Sequence, residues 1–165
     1  MTVNEAIKQR RSIRKYVPGS EVSQEQVKSL LEAAMLAPSA RNKRPWEFLV
    51  VRDREKLNGI MEIHEYTKML ETASLAIVVI GLDDWEVKFF PQDCGAATQN
   101  ILLQAVSMGL GTCWCAVYPN EKRVDLFKKL LGIEKGIPYN VIAVGVPDEQ
   151  PESRGFYDEK KIRYI

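Results

Sequence analysis

Apolar positions recur along this chain at two spacings, and the switches between them mark out the elements. Val3, Ala6 and Ile7 repeat at helical spacing behind Thr2 and Glu5, a threonine–glutamate capping box, so a short first helix opens the chain. It runs into the basic stretch Lys8, Arg10, Arg11, Arg14 and Lys15, after which Pro18 and Gly19 break the chain. Ser23 with Gln26 makes a second capping box, and Val27, Leu30, Leu31, Ala34 and Met35 predict a helix that Pro38 ends. Trp46–Val51 is β-rich and reads as a strand. Asp53 caps a helix through about Met61, and the stretch from Glu62 to Thr72 is mixed. Ser74–Gly81 is apolar on both faces, which predicts a central strand. Asp83–Pro91, with Trp85, Phe89 and Phe90, reads as a loop or short helix. Gln92–Met108 is apolar nearly all round and predicts a buried helix, closed by Gly109 and Gly111. Thr112–Val117 reads as a strand. Asn120 caps a helix over Val124–Leu131 that stops at Gly132, and Tyr139–Val146 is the last strong strand.

The tail from Pro147 to Ile165 is polar but ends in Ile162, Tyr164 and Ile165. It cannot fold alone and is expected to dock on another surface. With no internal repeat, linker or low-complexity tract, the pattern predicts one α+β domain over residues 1–165. It has three layers, with helices on both faces of a mostly antiparallel sheet of four or five strands.

Composition narrows the function classes. At 165 residues the chain can bury a proper core without disulfides or a structural metal. A net charge of +1 gives no argument for bulk nucleic-acid binding, so charge informs only where it clusters. Cys94, Cys113 and Cys115 are odd in number and lack a CxxC spacing, which fits neither a disulfide framework nor a zinc site. The single histidine, His64, weakens any Ser-His-Asp reading. The opening MTVNEAIKQRRS lacks the apolar core of a secretory signal, and the longest apolar run, around Leu75–Leu82, is too short to span a membrane. The expectation is a cytoplasmic protein with no membrane partner.

Three stretches could carry chemistry. Arg10-Arg11-Ser12-Ile13-Arg14 offers guanidinium groups and a hydroxyl suited to phosphate, or it is a solvated basic helix end. Ala37-Pro38-Ser39-Ala40-Arg41-Asn42-Lys43-Arg44-Pro45-Trp46 is rich in hydrogen-bonding side chains. Asn42 has the donor and acceptor that a heterocycle edge requires, although a plain helix stop and turn is the competing reading. Gly109-Leu110-Gly111-Thr112-Cys113-Trp114 either admits a ligand ring close to the backbone or simply turns from helix to strand. There is no GxGxxG opening a helix after a strand and no GxxxxGK[ST], so a nucleotide would not bind in the Rossmann or P-loop manner. Lys68 and Arg154 are isolated cations that matter only if the fold brings them to Arg10 and Arg14. Cys113 and Cys115 share one strand face and read as buried packing, since nothing nearby in sequence would lower a thiol pKa.

The order and spacing of these motifs say more than each alone. Arg10-Arg-Ser-x-Arg14, Ala-Pro-Ser-Ala-x-Asn42-x-x-Pro-Trp46, Asp93-x-Gly-Ala-Ala-Thr-Gln-Asn-Ile-Leu-Leu103, Gly-Leu-Gly-Thr-Cys-Trp114 and Val144-Gly-Val-Pro147 together resemble the FMN-dependent nitroreductase family, from Asn4 to the tail. The resemblance implies an interlocked homodimer sharing two FMN sites. Arg10, Ser12 and Arg14, with Arg11 beside them, would hold the ribityl phosphate and the pyrimidine edge. Pro38, Ser39, Ala40 and Asn42 would approach the same flavin from the partner chain. Lys68 would face the pyrimidine side, the backbone of Trp114, Cys115, Ala116 and Val117 the N5 edge, and Arg154 the phosphate.

It also implies no catalytic side chain and no metal. FMN would carry the chemistry, in a ping-pong cycle from NAD(P)H to a nitroaromatic, quinone or similar flat acceptor; Trp85, Phe89 and Phe90 are candidate pocket walls for such an acceptor, or else plain core packing. Two positions depart from the pattern: Arg44 stands where glutamine is common, and Glu152 where a basic residue often joins the phosphate site. Other flavin chemistry on the same fold (flavin reduction, flavin fragmentation, reductive dehalogenation) and a non-catalytic FMN-binding dimer remain alternatives. A nucleic-acid module fits least, because the cations lack interleaved exposed aromatics.

Overall fold

Four helix starts are fixed by side-chain caps at the positions the pattern marks. The computed structural model describes residues 1–82, 88–152, 155 and 157–165. Helix α1 (Val3–Gln9) and helix α2 (Gln24–Met35) both open on complete capping boxes, Thr2 with Glu5 and Ser23 with Gln26. Asp53 accepts from the Lys56 N–H at 2.8 Å to open α3 (Arg54–Ile63), and Asn120 accepts from the Arg123 N–H at 3.0 Å to open α5 (Glu121–Leu131). Gly132 ends α5 at φ 67, a left-handed cap that glycine adopts without steric cost. The mixed stretch after α3 winds as a 3₁₀ segment, Glu65–Glu71.

The sheet is antiparallel throughout, in the order β1 (Trp46–Val51), β2 (Leu75–Gly81), β4 (Ile137–Gly145), β3 (Gly111–Ala116). Strand β2 is buried along its whole length, and its alternation splits the core in two. Leu75, Ile77 and Val79 pack under α2 and the long helix α4 (Phe90–Ser107). Ala76, Val78 and Ile80 pack under α3 and α5. Each Leu, Ile or Val among them is worth about 1.5–3 kcal/mol of burial, so both helical layers are tied to one strand. A register shift between Val79 and Ile80 leaves Tyr139 bulged and sets Pro138 opposite Ile80, so the residue without an N–H falls at the irregularity. The Tyr139 carbonyl, freed from that ladder, accepts from the N–H groups of Val117 and Tyr118, both at 3.0 Å.

Two segments outside the sheet position the site. Ser12 bridges Thr112 in parallel, and the Ile13 N–H donates to the Thr112 carbonyl at 2.9 Å, so Ser12–Arg14 lies along β3 like a fragment of a fifth strand. Beyond it, Val17 donates to Val146 and Asp148 to Lys15, each at 2.9 Å, which joins the start of the tail to the basic segment. Tyr16 is fully buried there, its hydroxyl donating to the Ile13 carbonyl at 2.9 Å. A Cβ on Gly145 would fall 2.8 Å from its ring.

One sequence expectation needs correction. Helix α4 is not buried all round: Asp93, Cys94, Ala97, Thr98, Ile101, Leu102 and Ala105 are covered, whereas Ala96, Asn100, Leu103 and Gln104 are only half-covered, because α1, α2 and the sheet leave one flank open. Of the stretch read as a loop or short helix, Phe90 and Pro91 are helical and form the first turn of α4. Phe90 is core, with Gly81 leaving space for its ring, and Phe89 is exposed. Trp85 lies outside the described residues. The tail end is exposed at Tyr157, Tyr164 and Ile165 within the single chain.

Candidate functional site

Two cavities meet at Arg14. The first, about 620 Å³, is lined by Arg14, Lys68, Arg123, Cys113, Trp114, Cys115 and Ala116, with His64, Tyr66 and Met69 as its floor and wall. The second, about 1100 Å³, is lined by Arg10, Arg11, Ser12 and Arg14 from the segment after α1, and by Glu149, Pro151 and Glu152 from the tail. The basic segment lies alongside β3, and the 3₁₀ segment Glu65–Glu71 places Lys68 near the far end of that strand. Lys68, 54 residues from Arg14, therefore faces the same space. Volumes of this order suit a cofactor-sized ligand.

The first cavity is held by a cross-link around a buried histidine. His64 is 2% exposed; its Nε2 lies 2.9 Å from the Ala116 carbonyl and its Nδ1 accepts from the Tyr66 N–H at 3.3 Å. Burial keeps the His64 pKa below its ordinary value, with Arg123 adding to the effect against the Ala116 contact and Glu65. Arg123 donates to the same Ala116 carbonyl at 3.1 Å, and the Cys115 thiol donates to the Tyr66 carbonyl at 3.2 Å. His64, Tyr66 and Arg123 were not candidates from sequence; the sole histidine, at the end of an apolar helix, was the signal available.

Cys113 and Cys115 are buried, as the packing reading expects, but Cys113 is not electrostatically isolated: the neighbouring Cys115, helped by the Arg14 charge, lowers the Cys113 pKa while Cys115 is raised. Arg14, remote from Cys113 in sequence, is the nearby group that the linear reading did not supply. Val117 also differs from the rest of its motif: it is fully buried, its N–H is spent on Tyr139, and it lines neither cavity, unlike Trp114, Cys115 and Ala116.

Arg11 bonds within the protein. Its Nε donates to the Glu152 carbonyl at 2.9 Å, and its Nη1 donates to the Arg10 carbonyl. Arg154 lies outside the described residues.

Neither cavity is lined by Pro38, Ser39, Ala40 or Asn42. Their loop follows α2 and packs on the first turn of α4, where the Ala40 N–H donates to Asp93 Oδ1 at 3.1 Å. Three residues there that are not glycine take left-handed backbone conformations: Arg41 at φ 53, Asn42 at φ 55 and Arg44 at φ 52. Such residues cost on the order of 1–2 kcal/mol each, least for asparagine. Local bonds hold them, since Ser39 Oγ accepts from the Arg44 N–H at 2.9 Å and Asn42 Oδ1 accepts from Arg44 Nε at 3.1 Å. Arg44 thus acts as the brace of this loop. Backbone strain kept in place by dedicated contacts is characteristic of functional loops.

Among the described residues, no group of three or more His, Cys, Asp or Glu side chains is placed to hold a metal, and no helix is long and apolar enough to cross a membrane. The nitroreductase family model matches residues 7–73 and 64–146. A relative from Methanothermobacter thermautotrophicus, provisionally named an NADH dehydrogenase/NAD(P)H nitroreductase, is 48% identical over 165 residues and covers 98% of this chain and 86% of its own length. A solved structure of a protein of the same provisional name from Parabacteroides distasonis has a TM-score of 0.94 at 39% identity, covering 98% of this chain and 96% of that one. A provisionally named nitroreductase from Desulfovibrio desulfuricans, solved in complex with FMN, has a TM-score of 0.82 at 31% identity and covers 98% and 94% of the two chains. The cation-lined cavities, the antiparallel four-stranded sheet and these matches converge on one assignment: the chain belongs to the nitroreductase family.

Proposed function

We propose that the protein is an FMN-dependent NAD(P)H oxidoreductase that reduces nitroaromatics, quinones or similar flat acceptors, working as a homodimer with two shared sites. The observation that carries this reading is the pair of cavities joined at Arg14, one cationic and one walled by an aromatic ring and thiols. The residues present fit the cofactor. Arg10, Ser12 and Arg14 suit a phosphate dianion through charge-assisted hydrogen bonds, while Trp114, Cys115 and Ala116 offer a wall for a flat ring. Arg14, Lys68 and Arg123 bring positive charge to that space, offset in part by Glu65, and the net cation would stabilise an electron-rich heterocycle. Bound FMN would supply hydride transfer, so the chain needs no nucleophile of its own. Donor and acceptor would use the single open ring face in turn, which gives parallel double-reciprocal lines in steady state.

Dimerisation is supported by the uncovered apolar surface on α1, α2 and α4. Val3, Ile7, Met35 and Leu36 are exposed in the single chain beside the half-covered flank of α4. It is also supported by the place of Pro38, Ser39, Ala40 and Asn42, which a second copy would bring to the cavities. The docking of residues 147–165 on the partner, and the approach of Arg154 to the phosphate, belong to the same proposal.

The test is spectral titration of the purified protein with NADH and with NADPH, followed by a panel of acceptors. Bleaching of the flavin band by at least one nicotinamide and its return on adding acceptor is the expected result. A protein whose bound flavin neither nicotinamide reduces would be an FMN-binding dimer without this activity.

A further inference from the structure

A carboxylate stands among the arginines without pairing with any of them. Glu149 lines the same cavity as Arg10, Ser12 and Arg14, where an acid would ordinarily weaken anion binding. Its Oε1 accepts instead from two successive backbone N–H groups, Arg14 at 2.5 Å and Lys15 at 3.2 Å. Among the described residues it makes no ion pair with Arg10, Arg11 or Arg14. The negative charge is therefore directed onto the main chain, and it does not pair with the Arg10 or Arg14 guanidinium that would meet a ligand. The Val17–Val146 and Asp148–Lys15 hydrogen bonds bring Glu149 to this spot, 135 residues away in sequence from Arg14.

Resting on the flavin reading above, we propose that Glu149 is a positioning residue. Its carboxylate clamps the Arg14–Lys15 backbone so that the Arg14 guanidinium stands where the two cavities join. Among the described residues, Arg14 is the one that lines both. It is exposed, and only its backbone is held, by Glu149 and by the neighbouring Ile13–Thr112 bond. A long side chain on a loosely held backbone loses binding free energy to ordering, and a pre-positioned one loses less. Glutamine keeps an acceptor oxygen for both N–H groups and removes the charge, whereas alanine removes both.

The test is the Kd of FMN for apo-protein, read by quenching of free-flavin fluorescence at fixed ionic strength, for wild type, Glu149→Gln, Glu149→Ala, Arg14→Ala and the Glu149→Ala/Arg14→Ala double variant. Glu149→Ala is expected to weaken binding about tenfold, the scale of one net hydrogen bond. Glu149→Gln is expected to bind as tightly as wild type or tighter. In the Arg14→Ala background the alanine substitution is expected to change the Kd by less than about twofold, because the two residues act as one unit. A residue that merely anchored the tail would give the same loss in both backgrounds. Equal losses in the two backgrounds, no loss in either, or a glutamine variant as weak as the alanine variant would each overturn the inference. A wild-type protein that does not bind FMN would overturn both this inference and the reading it rests on.

Discussion

The cation-lined cavities and the loop after α2 are the two halves of the expected site, and they are built in opposite ways. The cavity half is assembled within one chain: the segment after α1, the 3₁₀ segment with Lys68, and β3 converge on shared space, tied by His64, Cys115 and Arg123. The loop half is equally well held, with three left-handed residues braced by Ser39, Asn42 and Asp93, yet it faces neither cavity. A chain that stabilises a costly conformation away from its own cavities is best explained if a second copy uses that loop. The exposed apolar surface beside it would give the proposed second copy a place to sit.

The largest effect should come from breaking that association. Leu36 is 82% exposed in the single chain, so Leu36→Glu should change the stability of an isolated subunit by no more than about 0.5 kcal/mol. At a dimer interface the same change buries a charge, and we expect sedimentation to show monomers that have lost FMN. Next come the cavity arginines. Arg14→Ala or Arg10→Ala should each lose on the order of 1.5–3 kcal/mol of FMN affinity, roughly 10- to 150-fold in Kd. Arg11→Ala should cost less than about tenfold, since its Nε and Nη1 already bond the Glu152 and Arg10 carbonyls. Unchanged FMN retention in the Arg10 and Arg14 variants would contradict the assignment of this half.

Asp93→Ala sharpens the loop half. It leaves the half-buried Ala40 N–H without its acceptor and should destabilise by about 1–3 kcal/mol, read as a lower midpoint in denaturant. The smallest effect is that of pH. His64 carries a pKa lowered by burial, so the unfolded chain binds a proton more readily than the folded one. Its contribution to stability is complete above the ordinary value of 6.5 and declines as pH falls below it toward the lower folded value. His64→Gln should flatten that decline in a melting series across mildly acidic pH. A slope identical to wild type would show that His64 is not its source.

How much of this the sequence reveals follows from the range of the interactions. Capping boxes, the both-face apolar run of β2 and the glycine stop of α5 are contacts within a few residues, and they are legible along the chain. The order of the motifs carries the family. What is not legible is convergence. Nothing linear places Lys68 with Arg14, Arg14 beside Cys113, or Glu149 on the Arg14 backbone, because each depends on the sheet order β1-β2-β4-β3 and on the tail returning to the basic segment. Helix α4 was misjudged for a related reason. Apolarity all round a helix does not say which flank is covered, and α1, α2 and the sheet together leave Ala96, Asn100, Leu103 and Gln104 half-covered.

The most direct measurement of the central claim, that each site is completed by two copies, is subunit complementation. One variant carries Arg14→Ala, damaging the cavity half; the other carries Ser39→Ala with Asn42→Gly, damaging the loop half while keeping its left-handed backbone accessible. Each alone should bind FMN weakly. Unfolding the two together and refolding them at equal concentration should create heterodimers in which one site has both halves intact and the other has neither. Tight FMN binding should then return to roughly a quarter of all sites, the fraction set by random pairing into two-fold dimers. A mixture that binds no more FMN than the separate variants would contradict the account, since it would mean that both halves serve a flavin within the same chain.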